Sequence, residues 1–495
     1  MADRRFAKVS ALGYTGRPAT HESNRCMLKG FTRFLQRPGD RLKTLFNATD
    51  APAAPLPSLR VIPRDEHPVS RRQLSENALK VLYRLQSGGY QAYLVGGCIR
   101  DALLGQRPKD FDVATNATPE QVRELFRNAR IIGRRFRIVH VRFGREVIEV
   151  TTFRGKPADS TPSQHTQQSE DGMLLRDNVF GSIEEDALRR DFTINALYYD
   201  VSDFTIHDWA NGVRDIEARM IRLIGDPETR YREDPVRMLR AVRFAGKLDF
   251  DIEEATAEPM YELAPLLLQI PPARMFEEVL KLFMSGYALE TFHLLREFGL
   301  FQMLFPETEE SFAHYQWSMP LIEKALASTD DRIREDKPVT PAFLYAALLW
   351  PGVKARTDQL IASGMPDIPA AHQAAQQAIA RQLNHTSIPK RFSIPMREIW
   401  DMQAKLPRRR GKRAFQTREH PRFRAAYDFL LLREFAGEVK PGLGKWWTDF
   451  QEVDARTQVT MIEGVSDEGP AGSKPVGTKR RGKRSARLRL STGCR

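Results

Sequence analysis

Tyr93-Leu94-Val95-Gly96-Gly97-Cys98-Ile99-Arg100-Asp101, followed at short distance by Lys109-Asp110-Phe111-Asp112-Val113, is the stretch on which the reading of this chain turns. Three apolar residues ending in a glycine pair predict a buried strand that stops abruptly. The spacing from Cys98 to Leu104, closed by Gly105, predicts a helix with a glycine stop. At such a junction backbone N–H groups and the helix dipole can meet an anion, with no side chain in the way. Arg100, one turn into the helix, is in reach of the same anion. The alternation in Asp110-Phe111-Asp112-Val113 predicts a second strand, with both carboxylates on one face and Phe111 and Val113 turned to a core. Two carboxylates that close repel unless a cation holds them, which suits Mg²⁺, an ion that takes oxygen ligands and keeps water or phosphate in its remaining positions. Taken alone, the glycine pair is as readily a tight turn and the Asp-x-Asp a solvated edge strand. Their succession carries the weight.

Working outward, residues 74–87 have helical spacing, and Thr118-Pro119-Glu120-Gln121 opens another helix with Thr118 as N-cap and Gln121 closing a capping box. Residues 138–143 and 147–152 predict two strands joined at Gly144-Arg145, and 157–178 is a polar loop by composition. Glu149 is an acidic residue in an otherwise apolar strand; a buried carboxylate needs a metal or an ionic partner. From 188 onward helical periodicity dominates, at 273–284, 289–298, 342–350, 370–382 and 422–436. The fold class is therefore α+β, a small mixed β-sheet head followed by a long helical array.

The chain has 495 residues and a formal net charge of +13. That length implies about three domains. No apolar run approaches the ~18 residues that would span a bilayer, which excludes an integral membrane protein. Three scattered cysteines, Cys26, Cys98 and Cys494, exclude a disulfide framework and point to a reducing compartment. Residues 1–70 carry 12 basic and 6 acidic side chains, and 471–495 carry 9 basic and no acidic ones, so the body between is near neutral. A basic end of this kind either contacts a polyanion or is simply solvated.

In Gly96 to Asp101 followed by Lys109 to Asp112, the chain resembles the nucleotidyltransferase class that holds bacterial poly(A) polymerases and CCA-adding tRNA nucleotidyltransferases. Arg189-Arg190-Asp191-Phe192-Thr193-Ile194-Asn195 looks like that class's ribose-reading motif, Asp208 to Asp215 like its Asp-x-x-x-Gly-x-x-Asp hinge, and Glu233-Asp234-Pro235-Val236-Arg237 like its base-reading motif. Read on their own, Asp191 and Asn195 would share a helix face, and Asp234 would be an N-cap with Pro235 at the first helical position. The polymerase branch is favoured by Ile132 to Val141, by Tyr198-Tyr199, by Ile270-Pro271-Pro272-Ala273-Arg274, and by Gly411-Lys412-Arg413 with His420 to Asp428.

The resemblance implies a segmentation into a disordered basic leader (1–70), a catalytic head (71–200), a neck of ribose- and base-reading helices (201–265), a helical RNA-binding body (266–455) and a disordered basic tail (456–495). It implies template-independent transfer of AMP from ATP to RNA 3′ ends in a two-metal Mg²⁺ scheme, with Asp110 and Asp112 as metal ligands and Glu149 or Asp191 as third carboxylate. Gly96, Gly97, Arg100, Asp191, Asn195, Asp234, Arg237 and Arg240 would hold the nucleotide. CCA addition and a non-catalytic RNA-binding protein are the alternatives. The implied setting is the bacterial cytoplasm, with RNA-decay or RNA-chaperone proteins as further partners. Phe31, Phe34 and Leu35 in the leader are the one group that could touch a membrane surface.

Two basic clusters lie within the body, at 123–146 around Arg134, Arg135 and Arg137, and at 408–424 with Arg408, Arg409, Arg410, Lys412 and Arg413. Phe415, His420 and Phe423 interleave the second, the composition that holds single-stranded RNA by phosphate contact and base stacking; the alternative is a solvated charged face. Deleting 471–495 is expected to weaken RNA binding and flatten its salt dependence while leaving catalysis intact; titrating RNA at several salt concentrations checks this.

Overall fold

The computed structural model describes residues 58–133, 137–155, 166–168, 174–177 and 179–465. The leader segment around Phe31, the Arg134-Arg135 pair and the tail beyond 465 lie outside the described residues.

The head is built on β1 (Arg60–Ile62), β2 (Ala92–Val95), β3 (Asp112–Thr115), β4 (Ala129–Ile132), β5 (Ile138–Phe143), β6 (Glu146–Thr152), β9 (Leu197–Tyr199) and β10 (Ile206–Asp208). A separate hairpin, β7 (Thr166–Gln168) with β8 (Leu174–Asp177), occupies part of the stretch expected to be loop. The main sheet runs β1-β10-β9-β2-β3-β6-β5-β4, with β3 and β6 parallel and its other neighbours antiparallel. One parallel pair needs a crossover, supplied by the passage through β4 and β5. Arg60 to Ile62 pair with Ile206 to Asp208, so the C-terminal part of the stretch read as leader, and a strand read as neck, both belong to the head's sheet.

Two helices flank the first strands. Helix α1 (Glu76–Ser87) starts at Ser75, whose hydroxyl accepts from the Asn77 and Ala78 amides, and it buries Ala78, Val81, Leu82 and Leu85 at helical spacing. Helix α2 (Gly97–Leu103) follows β2 after Gly96 alone, which is possible because Gly96 adopts φ 76°. The expected capping box opens α3 (Pro119–Leu125), with Thr118 and Gln121 in their roles.

After α4 (Ile183–Arg189) a single 3₁₀ turn, Thr193–Asn195, leads into β9. The neck comprises α5 (Gly212–Glu217), a short β11–β12 pair (Met220–Ile221 with Asp251–Ile252), α6 (Pro227–Glu233), α7 (Val236–Leu248) and α8 (Glu254–Leu263). The body opens with α9 (Pro272–Phe283) and α10 (Ala288–Glu297), and further helices follow, from Phe301–Leu304 to Ala455–Glu463. One apolar core extends from the underside of the sheet through α7 into the body. A second, smaller one gathers Met402, Leu406, Phe423, Trp447 and Phe450 near the C-terminus. This is the α+β arrangement expected from the sequence.

Asp208-to-Asp215, read as a hinge, is tightly packed. Asp208 is buried and accepts from the Ala210, Gly212 and Val213 amides, while Asp215 accepts from the Thr193 hydroxyl at 2.7 Å. Gly212 lies so close beneath the 193–195 turn that a Cβ there would run into the Thr193 carbonyl. Gly212→Ala is expected to destabilise the protein by about 1–3 kcal/mol, because the obstacle is backbone that cannot step aside, and a denaturant titration reads this directly.

Candidate active site

The register of three strands assembles the site. Val95, the last residue of β2, lies opposite Asp112 at the start of β3, and Asp112 lies beside Glu149 across the parallel β3–β6 pair. The glycine turn that follows Val95 is thereby carried to the end of the sheet where the carboxylates stand. Asp110 is exposed and precedes the strand rather than forming part of it, since pairing begins only at Asp112. The buried side chains of Phe111 and Val113 still give the expected alternation.

Asp112 is the perturbed carboxylate of the group. Burial first, then the negative charge of Glu149 and of Asp110, pushes its pKa up to about 6, against the pull of Arg190. Glu149 is not the buried carboxylate expected; its side chain is 46% exposed, and its partner is His140 rather than an arginine, with His140 Nε2 at 3.1 Å. Among the described residues no three His, Cys, Asp or Glu side chains converge as a preformed metal cage. The donor set nevertheless fits Mg²⁺. Adjacent carboxylates destabilise one another without a cation, and this ion fills its shell with phosphate and water when the protein supplies one or two carboxylates.

Asp191 behaves differently. It precedes the 3₁₀ turn, so no helix face relates it to Asn195, yet the two meet: Asn195 Nδ2 donates to Asp191 Oδ1 at 3.4 Å. Burial would raise the Asp191 pKa, but the Arg240 guanidinium, with Nε 2.6 Å from Oδ2, reverses this and holds it at about 2. Asp191 is thus paired with a cation of the neck, whereas the charges that act on Asp112 include those of Glu149, Arg190 and Asp110.

Arg100 is buried. Its guanidinium donates to Asp101 Oδ1 at 2.6 and 2.8 Å and to Asn195 Oδ1 at 2.6 Å, and it lies beside Gly97, where a Cβ would stand 3.3 Å from Nη2. Sequence reasoning gave Arg190 no role, but it is the cation of the site. Its Nη1 stands 3.5 Å from where a Gly96 Cβ would be, and its charge acts on Asp112. Tyr198 accepts from its Nε at 2.8 Å and Asp186 from its Nη2 at 3.2 Å, and these partners hold it charged despite burial. The i,i+4 spacing of Asp186 and Arg190 was the available signal.

On α7 the basic residues Arg237, Arg240, Arg243 and Lys247 recur at three- and four-residue intervals and so share a face. Arg237 Nη1 donates to Glu233 Oε2 at 2.9 Å and to the Arg230 carbonyl at 2.6 Å. The Nε of Arg243 is buried without a hydrogen-bond partner, and burial together with Arg240 lowers its pKa to about 10. Asp234 is not an N-cap: it follows α6 as its C-cap, Pro235 precedes α7, and Arg274 Nη2 donates to Asp234 Oδ2 at 2.9 Å.

Of the expected RNA contacts, Arg137 is paired with Glu120. Arg408, Arg410, Lys412 and Arg413 are exposed, and Arg410 donates to the Val465 carbonyl at 2.9 and 3.2 Å. Arg409 is half-buried over the Trp446 ring. The aromatics expected to stack on bases do not face outward: Phe423 is buried against Trp447 and Tyr427, Phe415 packs on Phe450, and His420 Nδ1 accepts from the Arg422 amide. Phe423 belongs to the second core and Phe415 packs against it, because a short helical segment of this composition needs an apolar side to fold against.

A mixed sheet whose strand register brings carboxylates to a glycine turn, joined to an arginine-lined neck, defines a nucleotidyltransferase. Comparison with known proteins agrees. Residues 92–222 match the family model "Poly A polymerase head domain", 249–312 match "Probable RNA and SrmB- binding site of polymerase A", and 363–487 match "Polymerase A arginine-rich C-terminus". The chain is 53% identical over 420 residues to poly(A) polymerase I of Escherichia coli O6:H1, covering 83% of this chain and 90% of that one. It is 46% identical over 413 residues to that of Haemophilus influenzae, covering 81% and 90%. A CCA-adding enzyme of Lactobacillus helveticus is 39% identical over 219 residues, covering 44% of this chain and 52% of that one. A solved tRNA-processing enzyme, apo form I, shares the fold with a TM-score of 0.53 and 21% identity, covering 79% of this chain and 98% of that one. The chain belongs to the bacterial poly(A) polymerase I family.

The raised Asp112 pKa sets a pH dependence. The folded value lies above the ordinary 3.8, so the ionised carboxylate costs stability above about pH 6, and the cost vanishes below the unfolded value. In the presence of chelator, Asp112→Asn is expected to raise the melting temperature at about pH 8 and leave it unchanged at about pH 3. Thermal melts at both values test this.

Proposed function

We propose that this chain extends RNA 3′ ends with AMP from ATP, without a template, at the site formed by Asp110, Asp112 and Glu149 opposite Gly96-Gly97. The observation that carries the reading is the register placing Asp112 between Val95 and Glu149, which sets an anion-receiving turn against a cluster of carboxylates.

Asp110 and Asp112 would hold Mg²⁺, with Glu149 as the third carboxylate in preference to Asp191, which Arg240 already neutralises. Bound there in a two-ion arrangement, Mg²⁺ supplies charge neutralisation for the triphosphate and acidifies the attacking hydroxyl. The Gly96-Gly97 backbone receives phosphate oxygens, and Arg190, fixed by Asp186 and Tyr198, adds a positive charge beside them. The 3′-oxygen forms its bond to the α-phosphorus as the bond to pyrophosphate breaks. Exposed Glu149, hydrogen-bonded to His140, accepts the displaced proton. Asn195 and Asp191, held together at the 3₁₀ turn, face the ribose, and Asp234 reads the base. Arg237 and Arg240 buttress the carboxylates Glu233 and Asp191. Arg243, with its orphaned Nε, is a further phosphate contact. Positioning and charge stabilisation supply most of the rate, as in phosphoryl transfer generally.

The exposed arginines and lysine of 408–413 track RNA phosphates, and the matched segment 249–312 is where an RNA-decay or RNA-chaperone partner would dock. No helix among the described residues is long and apolar enough to cross a membrane. The bacterial cytoplasm is the setting this reading implies.

Polymerisation is favoured over CCA addition because likeness to poly(A) polymerase I covers 83% of the chain, against 44% for the CCA-adding enzyme. ATP alone with a generic RNA primer should give long homopolymeric tails; a product that stops after one nucleotide, or that requires tRNA and CTP, would overturn the reading. In the same assay Asp110→Ala should lower incorporation by about a thousandfold or more without changing the melting temperature. Glu149→Gln should mainly lower kcat and raise the Mg²⁺ requirement, whereas Asp191→Asn should mainly raise KM for ATP.

A further inference from the structure

In the body, the helices Ser318–Arg334 and Phe423–Phe435 flank a groove of about 670 Å³. Much of its lining is apolar, including Val339, Phe343, Ile399, Leu431, Leu432 and Phe435. The helix Phe423–Phe435 carries apolar residues on every side, a pattern that belongs to a helix enclosed by protein. One side is nevertheless open, since Phe435 is 63% exposed and Leu431 36%. The lining positions Arg424, Asp428, Leu431 and Phe435 recur at three- and four-residue spacing and so form one stripe, about 16 Å long at the helical rise. Lys324, Ser328, Asp331 and Arg332 line the groove from the other helix at the same spacing. A trough of this length, with helical periodicity on both sides, is the shape that takes a third helix.

The charges of the lining decide what that helix carries. Asp428 is paired with Arg424 at 3.1 Å, and Asp331 lies 3.6 Å from Arg334, so both carboxylates of the groove are answered. Arg422 is answered by Glu398 at 2.8 Å. Lys324 and Arg332 have no carboxylate partner among the described residues. Lys324 Nζ lies 5.3 Å from the centre of the Phe435 ring, and Arg332 donates to the Pro338 carbonyl at 2.9 and 3.2 Å. We propose that this groove receives an acidic amphipathic helix of a partner protein, its apolar side seated on Phe343, Leu431 and Phe435 and its carboxylates meeting Lys324 and Arg332. Apolar burial supplies the affinity, and the two unmatched cations select against a basic helix. The chain's own ends carry the wrong charge for this groove, with 12 basic and 6 acidic residues in 1–70 and 9 basic and no acidic ones in 471–495. Of the lining residues only Met284 falls in the matched segment 249–312, and none falls in 408–413, so the groove is a surface separate from both.

The test is fluorescence anisotropy of the full chain with a labelled helical peptide of about four turns, carrying Leu at three- and four-residue spacing and Glu on the flanking positions. A scrambled peptide of the same composition, and one with Lys in place of Glu, are the controls. The acidic peptide should bind saturably, and both controls at least about tenfold more weakly. Leu431→Glu and, as the milder variant, Phe435→Ala should each weaken the acidic peptide by about tenfold or more, with melting temperature and AMP incorporation onto a primer unchanged. Lys324→Glu should lose the acidic peptide and gain the Lys peptide, an exchange that only direct charge contact produces. Absence of saturable binding, equal binding of the scrambled peptide, or Lys324→Glu without that exchange would overturn the proposal. So would a dimer in sedimentation that Leu431→Glu dissolves, which would make the occupant a second copy of the chain. A loss of oligoadenylate affinity in Leu431→Glu equal to the loss of peptide affinity would overturn it as well, in favour of a nucleic-acid surface.

Discussion

Asp112 and Glu149 stand side by side across the parallel β3–β6 pair, and the repulsion between them is the constraint to which the head answers. Like charges in a partly buried setting are held only if cations approach, and the head supplies one of its own in Arg190. That arginine is itself largely buried, and Asp186 and Tyr198 anchor it. The anchor is in turn built into the sheet, since Tyr198 lies opposite Val95 in the β2–β9 pair. What remains of the repulsion is the reason a divalent ion fits the proposed site: the carboxylates are unfavourable together without a cation.

The neck repeats the same logic with signs reversed. Four basic residues share one face of α7, and each of three neighbouring carboxylates answers one of them: Glu233 for Arg237, Asp191 for Arg240 and Asp101 for Lys247. These pairs tie three parts of the chain together, because Asp101 belongs to the helix after the glycine turn and Asp191 to the segment that precedes the 3₁₀ turn. Arg100 joins Asp101 to Asn195, so the helix after the glycine turn and the 3₁₀ turn share one network. Arg243 is left with a buried Nε that has no hydrogen-bond partner. Asp234, at the turn into α7, is tied in the same way to α9, a helix of the body, through Arg274.

Much of the site was legible locally. Gly96-Gly97 and Asp110 to Asp112 announced themselves because a glycine turn and an alternating strand are written in consecutive residues. Asp191 and Asn195 do meet, though through a 3₁₀ turn and not on a helix face, since both geometries bring residues three or four apart together. The choice between Glu149 and Asp191 was not legible. It depends on a strand register and on an arginine 49 residues along the chain. The aromatics at 415 and 423 misled for a related reason: an aromatic among arginines reads as a stacking platform until the second core that consumes it is seen.

Local sequence reading reaches the strand, the glycine turn and the helix after it, the capped helices and the two carboxylates at 110 and 112. Those follow from contacts within about four residues, which any correct local reading includes. Which distant charges meet was set by packing across the chain: Glu149 with Asp112, Arg240 with Asp191, Arg274 with Asp234. Charge pairing in a half-buried interface is set by packing and by register, where a shift of one residue turns every side chain to the other face of a strand. The same residue types in the same order could have paired otherwise, and with different partners the site would have held a different chemistry.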